Sequence, residues 1–299
     1  MKFFDLSKQY SILEKEIDGA VKKVMQDSYF IGGKEVQDFE HDMAQFCNVK
    51  YCAGMNSGTD ALFLALRALN IKEGDEVITT PFTFIATAEV IANCQAKPVF
   101  VDIDPKTFNI DPQKIEEKIT ERTKAIIPVH IFGQMADMDK IVEIANKHKL
   151  FIIEDACQAI GAQYKGKMAG SIGDISAFSF FPTKNLGACA DGGAAITNNS
   201  ELAKKIFLLK NHGSSSEDKY KHLIVGMNSR LDAIQAAILR VKFRYLNEWN
   251  QKRLEIAQYY TKNLSNIKGI ECPQIDDDCV HIFHQYTLKS ERRDELFSF

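Results

Sequence analysis

The chain has 299 residues, 45% of them apolar and 26% charged, with a formal net charge of −3. That length holds one large domain plus a smaller one, and the charge balance leaves no basic footprint for nucleic acid and no basic amphipathic stretch for a membrane surface. No window reaches the roughly 18 apolar residues of a membrane span, "MKFFDLSKQY" meets Asp5 too early for a signal peptide, and seven cysteines without a C-x-x-C pair point to a reducing cytoplasm rather than to disulfides or zinc.

In chain order, "MNSGTDALFLALRAL" (55–69) is a polar, glycine-containing turn that opens a helix over 59–69. Ser57 and Asp60 imitate a capping box, and the first-turn N–H groups with the helix dipole make a phosphate site. "DEVITT" (75–80) is β-rich and stops at Pro81, a helical pattern covers 84–94, and "AKPVFVDID" (96–104) reads as a buried strand. Helical spacing over 112–120 precedes the strand "KAIIPVHI" (124–131); a helix over 137–148 precedes the strand "KLFIIEDA" (149–156). "DISAFSFF" (174–181) and "GGAAITNN" (192–199) are further strands, and 200–210 is helical. Such alternation predicts an α/β fold, a mainly parallel mixed sheet covered by helices on both faces, with room for an antiparallel member in 174–199.

From Asn228 the character changes. "SRLDAIQAAILRVKFRYLNEWNQKRLEIAQYYTKNL" reads as a long helical run, with Ser229 as its N-cap, that leaves the large domain. "FHQYTLKS" (283–290) reads as a strand and "ERRDELFSF" as the first turns of a helix. The expected domains are 1–240, large, and 241–299, smaller, α+β and incomplete, with residues 1–15 free to pack against the latter.

Between two of the strands lies "SFFPTKNLGACADGG" (179–193), where Lys184 stands alone in an apolar, glycine-rich loop. Ligands of open α/β sheets bind at the carboxyl ends of the strands. Asp155 ends "FIIEDA", Gln158 follows three residues on and could share a helical face with it, and Ser179 closes its own strand. Taken singly each has an ordinary reading: a helix cap, a common helix start, a solvated lysine. Together at one sheet edge they match what pyridoxal 5'-phosphate needs. Lys184 would bond to the cofactor's aldehyde. Gly58, Thr59 and Ser179 would build a phosphate cup, Asp155 would face the pyridine nitrogen, and Phe84 in "TPFTFIATAE" would lie flat on the ring. A dinucleotide-binding alternative lacks its G-x-G-x-x-G, "YFIGG" (29–33) having only two adjacent glycines, and no P-loop is present. His130, His212 and His284 lack metal-ligand spacing, so no metal site is expected.

The stretch "EDACQAIGAQYKGKMAGSIGDISAFSFFPTKNLGACADGGAAITNN" closely resembles the sugar aminotransferases of the DegT/DnrJ/EryC1/StrS family, whose fold is that of type I pyridoxal-phosphate enzymes such as aspartate aminotransferase. "GDEVITTPFTFIATAE", "PVFVDIDPKTFNIDP", "TKAIIPVHIFGQMADMD", "KNHGS", "VGMNSRLDAIQAAIL" and "FHQYTL" extend the resemblance over essentially the whole chain. It implies that Lys184 binds the cofactor covalently, Asp155 pairs with the pyridinium, Gln158 reaches the phenolic oxygen, Gly58, Thr59 and Ser179 hold the phosphate and Phe84 stacks on the ring. Asn228 in "GMNSR" would reach the phosphate of the neighbouring subunit, which implies a homodimer with shared sites. Arg230, also from the partner, is the candidate for the substrate diphosphate, with a helix-surface arginine as the competing reading. Lysine where dehydratase relatives carry histidine favours transamination.

The implied activity is a cytoplasmic transfer of an amino group from an amino acid, L-glutamate, to a keto group of a UDP- or dTDP-linked sugar for cell-surface polysaccharide such as O-antigen. The alternative is a non-catalytic or regulatory cofactor-binding homologue disabled by a missing C-terminus. Two departures stand out. Cys157 and Cys189 occupy positions where small residues are common and read as small buried fillers, and the family continues for roughly 60 to 80 residues beyond the point matching Phe299, a small-domain length.

Overall fold

A computed structural model describes residues 5–215, 218 and 220–298. The chain enters through α1 (Ser7–Asp27) and α2 (Gly33–Phe46), neither anticipated above, and reaches β1 (Tyr51–Met55). There follow α3 (Gly58–Ala68), β2 (Glu76–Thr79), α4 (Ala86–Asn93), β3 (Lys97–Phe100), β4 (Thr123–Ile126), α5 (Met138–His148) and β5 (Phe151–Asp155). After the short β6 (Gln163–Tyr164) and β7 (Lys167–Met168) come β8 (Ile175–Ser179), β9 (Gly193–Thr197), α6 (Ser200–Leu209), α7 (Ala233–Phe243), α8 (Leu246–Leu264), β10 (Cys279–Val280) and α9 (Arg293–Ser298). Phe299, the end of the "ERRDELFSF" segment, lies outside the described residues.

The main sheet has seven strands in the order β1-β9-β8-β5-β4-β2-β3. β9 runs antiparallel to both its neighbours and every other pairing is parallel. The antiparallel member falls within 174–199 because the connection 180–192 contains no crossover helix, so the chain can only double back. Successive residues of each strand face opposite layers. Val77, Ile127, Ile153, Ile175 and Ala195 pack with Leu62, Leu66, Val90 and Ile91 of α3 and α4. Ile78, Ile126, Ile152, Phe178 and Ile196 pack with Phe39 and Met43 of α2 and Ala236 and Leu239 of α7. Two buried layers explain the almost continuous apolar runs of the central strands.

Several local expectations are corrected. β3 is a sheet edge with Lys97 and Phe100 exposed, which is where Pro98 is tolerated, rather than a buried strand. Residues 112–120 form two 3₁₀ turns, Pro112–Lys114 and Glu116–Lys118, hung on the fully buried Ile115. The long helical run breaks at Arg244 and Tyr245 into α7 and α8; Leu13 and Ile17 of α1 pack on Ile238 and Val241 of α7, and the Tyr245 hydroxyl donates to Glu16 at 2.7 Å. The N-cap position of α7 is Asp232, not Ser229, whose buried hydroxyl accepts from the Asn56 N–H at 3.3 Å. "FHQYTLKS" makes no strand: its backbone bonds the loop at Phe132, through Gln285 N–H, and the β6–β7 pair recruits β10 instead. No helix among the described residues is long and apolar enough to cross a membrane.

Candidate active site

The turn between β1 and α3 forms one wall. Ser57 is extended, and its hydroxyl accepts from Asp60 N–H at 3.0 Å while its carbonyl accepts from Ala61 N–H at 3.1 Å. The Gly58 and Thr59 N–H groups then have no acceptor among the described residues, at the positive end of a helix of 11 residues. Close approach needs glycine at two points. A Cβ on Gly58 would sit 2.7 Å from Ser179 Cβ and 2.9 Å from Cys157 Sγ, and one on Gly193 would sit 2.3 Å from the Ser57 carbonyl carbon. The β8–β9 register opposes Ser179 to Gly193, so the helix start, Ser179 and Cys157 close into one small cup. Ser179 Oγ accepts from Phe181 N–H at 3.3 Å, which leaves its own proton to donate.

Asp155 lies at the end of β5, 5% exposed. Its Oδ2 accepts from the Thr87 hydroxyl at 2.8 Å and its Oδ1 from Cys157 N–H at 3.2 Å. The preceding residue points to the other side of the strand. Glu154 is fully buried and accepts from His130 Nε2 at 2.8 Å and from the N–H groups of Gly170, Ile172 and Gly173 at 2.8, 2.8 and 2.6 Å. Burial pushes the Glu154 carboxyl upward, but these donors outweigh it and hold the group below the usual carboxylate range. His130 accepts from Ala136 N–H on Nδ1, so its Nε2 carries the proton. The pair is structural; Asp155 alone of the two carboxylates faces the cup.

The loop 180–192 is pinned on all sides of Lys184. Lys184 N–H donates to Phe181 O at 2.8 Å, and the buried Lys242 Nζ donates to Gly187 O at 2.7 Å. Asn185 is buried, donating to Asn250 Oδ1 at 2.7 Å and accepting from His284 Nδ1 at 3.1 Å. The half-buried Lys184 Nζ makes no hydrogen bond among the described residues. Its charge still acts on two neighbours. Burial, with Lys184 and Arg253 adding to it, pushes His284 down to about 3, so that imidazole is neutral near pH 7. Burial also pushes the Cys157 thiol well up; Asp155 reinforces this and Lys184 opposes it. Cys157 is bonded to Asp155 through its N–H and packs against the Gly58–Ser179 cup, and Lys184, on the loop that follows Ser179, lies near enough for its charge to act on that thiol.

Gln158 occupies a turn rather than a helix, and its Oε1 accepts from Phe132 N–H at 2.9 Å, leaving the amide protons outward. Phe84 precedes α4 by two residues and is 68% exposed, its ring uncovered by this chain. Cys157 is half-buried as a filler of the cup, whereas Cys189 is exposed and fills nothing within the chain. Asn228 and Arg230 make no hydrogen bond to this cluster. Asn228 is exposed and bridges Asn211. Arg230 Nη1 donates to Asn211 Oδ1 at 3.0 Å, and its buried Nε has no partner among the described residues. It lines a cleft of about 800 Å³ with Phe207, Lys210 and Ser214. No group of His, Cys, Asp and Glu among the described residues is arranged to hold a metal ion.

Sequence reading missed Thr87, Asn185 and Asn250. Asn185 had a signal, being the residue after the lone lysine; Thr87 had a weaker one, a threonine four positions after Thr83 at a helix start. Asn250 had none.

Comparison with known proteins follows the same lines. The model of the DegT/DnrJ/EryC1/StrS aminotransferase family matches residues 11–299. A Geobacillus stearothermophilus protein named "pleiotropic regulatory protein" is 52% identical over 99% of this chain and 79% of its own length. The dTDP-3-amino-3,6-dideoxy-α-D-galactopyranose transaminase of Aneurinibacillus thermoaerophilus is 48% identical over 98% of this chain and 80% of its own. The crystal structure of Streptomyces venezuelae DesV in complex with a ketimine intermediate superposes with a TM-score of 0.97 at 43% identity, over 99% of this chain and 80% of that one.

Proposed function

Because the chain belongs to the DegT/DnrJ/EryC1/StrS aminotransferase family and is a pyridoxal-phosphate-dependent sugar aminotransferase, we propose that it moves an amino group from L-glutamate to the keto carbon of a hexose linked to dTDP or UDP. The observation that carries this reading is the meeting of Asp155 and the two open N–H groups of α3 around Cys157, with Lys184 on the pinned loop that follows Ser179. The residues fit the cofactor. Two N–H groups unpaired among the described residues and the Ser179 hydroxyl suit a phosphate, Asp155 suits a protonated ring nitrogen, and a lysine amine with no hydrogen-bond partner among those residues suits covalent attachment. When bound, the cofactor supplies an electron sink for the bond broken at the amino acid's α-carbon.

The chain's own groups do the rest. Lys184 Nζ would take the proton from the amino acid's α-carbon and return one on the opposite side of the transfer. Gln158, whose amide protons are left free by its bond to Phe132 N–H, would donate to the phenolic oxygen, and the exposed Phe84 would cover the ring. Residues 1–240 form the cofactor-binding domain and 241–299 belong to a second, smaller one. The protein works in the cytoplasm and feeds a cell-surface polysaccharide such as O-antigen. Arg230 of the partner subunit, its Nε without a partner among the described residues, grips the diphosphate of the acceptor; a planar guanidinium pairs bidentately where lysine cannot. This reading is tested by following amine transfer in single turnovers, glutamate first and then a panel of nucleotide-linked keto hexoses. Arg230→Lys is expected to raise the KM for the nucleotide sugar and leave the glutamate half-reaction nearly unchanged. Equal damage to both halves would assign Arg230 to folding or cofactor binding. The regulatory name of the 52% identical relative favours a second reading, a cofactor-binding regulator; absence of transfer to every sugar, with cofactor bound, is the result that would support it.

The active unit is a homodimer in which Asn228 reaches the partner's phosphate cup. Its exposure, away from its own chain's cluster, supports this. Subunits carrying Lys184→Ala and subunits carrying Asn228→Asp, each inactive alone, are expected to regain activity when mixed, since one site of each heterodimer is then intact. Verified heterodimers that stay inactive would reject the shared site.

A further inference from the structure

We infer that Thr87, backed by Thr83, is a positioning residue that decides where the proton shared between Asp155 and the cofactor's ring nitrogen rests; this depends on the reading of Asp155 given above. Thr87 is fully buried in the first turn of α4. Its Oγ1 lies 2.8 Å from Asp155 Oδ2 and 2.9 Å from Thr83 Oγ1. An ionised carboxylate only accepts, and a hydroxyl has one proton to give. The Thr87 proton therefore goes to Asp155, and the Thr83 proton must go to Thr87. The chain has one polarity, from Thr83 through Thr87 to Asp155.

Two features set this apart from an ordinary satisfied hydroxyl. Helical threonines commonly return their proton to a carbonyl three or four residues back, whereas Thr87 aims its proton across 68 positions of sequence at Asp155. The other carboxylate oxygen is bonded as well, by Cys157 N–H at 3.2 Å. Both oxygens are thus held from the protein side, which fixes the carboxylate plane and leaves the remaining lone pairs for the ring. A donated hydrogen bond stabilises the carboxylate as an anion, and a donor chain strengthens each of its bonds. Without that donor the shared proton moves from the ring nitrogen toward Asp155, and the ring becomes a poorer electron sink.

The experiment is ¹⁵N NMR of the protein reconstituted with pyridoxal phosphate labelled at the ring nitrogen, at one neutral pH, for wild type, Thr87→Val, Thr87→Ser and Thr83→Val. Wild type and Thr87→Ser are expected at the protonated shift. Thr87→Val should move clearly toward the unprotonated shift, and Thr83→Val should move the same way by less. The glutamate half-reaction should slow roughly tenfold in kcat for Thr87→Val with KM little changed, a change of about 1.4 kcal/mol in barrier. A wild-type ¹⁵N shift in folded, loaded Thr87→Val would overturn the proposal. If Thr87→Val does not fold, an unmoved shift in Thr83→Val overturns it. An unprotonated nitrogen already in the wild type would instead refute the role of Asp155 and leave the donor chain a structural feature.

Discussion

Lys184→Ala is expected to abolish amino transfer, a loss of at least four orders of magnitude, since general acid–base catalysis alone contributes about 10²–10⁴ and covalent attachment is lost with it. Borohydride treatment of the wild-type protein with cofactor should fix the adduct on Lys184 in peptide mass mapping, and the variant should show none. The cofactor should still bind, because the Gly58, Thr59 and Ser179 donors and Asp155 are untouched. The fold should survive too: the Lys184 side chain is half-buried and its amine anchors nothing, so the change in apo stability is expected within about 1 kcal/mol. Lys242 provides the internal control. It lies under the same loop, is buried, and burial lowers its ammonium below the ordinary lysine value. It is the lysine an erroneous assignment would select. Its Nζ, however, is spent on Gly187 O at 2.7 Å, so an adduct on Lys242 in the wild type is the outcome that would defeat the assignment of Lys184.

Asp155→Asn is expected to slow the glutamate half-reaction by about a hundredfold or more, worth roughly 3 kcal/mol of barrier. Size and one acceptor are kept; the charge proposed to hold a proton on the ring nitrogen is not. The surroundings tolerate the amide in one orientation, which leaves the charge as the loss. Asp155 receives donors on both oxygens, Thr87 Oγ1 and Cys157 N–H. A carboxamide can satisfy only one of them with its oxygen and must turn its NH₂ toward the other, where the Thr87 hydroxyl can reverse but the backbone N–H cannot. Stopped-flow spectroscopy of the half-reaction, with cofactor affinity measured separately, checks this. Transamination near the wild-type rate would remove Asp155 from the chemistry.

Much of this arrangement was legible in the chain, for a reason that concerns range. Strand and helix patterns are local, and in a sheet buried on both faces they read as near-continuous apolar runs between helices, so β2, β4, β5, β8 and β9 stood out, with Asp155 and Ser179 at the ends of two of them. Lys184 was legible because it is the one lysine in an apolar, glycine-rich loop, and Ser57 because its capping of Asp60 N–H spans three residues. Where local pattern and packing disagreed, packing won. Pro98 and its neighbours had the composition of an interior strand, yet β3 ended at the sheet edge. The helical run from Asn228 kept its period but broke at Arg244, where α7 is committed to α1 and α2.

The site itself shows the same division. Residue types that chemistry demands, a lysine, a carboxylate, a glycine-led helix start, are visible one at a time. Their meeting is not, because it depends on β5 lying beside β8, and on β9 returning antiparallel so that Gly193 can approach Ser57. The groups that orient them are further from view. Thr87 reaches Asp155 across 68 positions, Asn185 reaches Asn250 across 65, and Gly58 meets Ser179 only through the stacking of α3 on the sheet. Propensity and periodicity act within a few residues and carry no information on strand order. The candidates for the reacting groups were therefore visible in short stretches of the chain, while their polarity, tautomers and mutual distances exist only once the strands have taken their places.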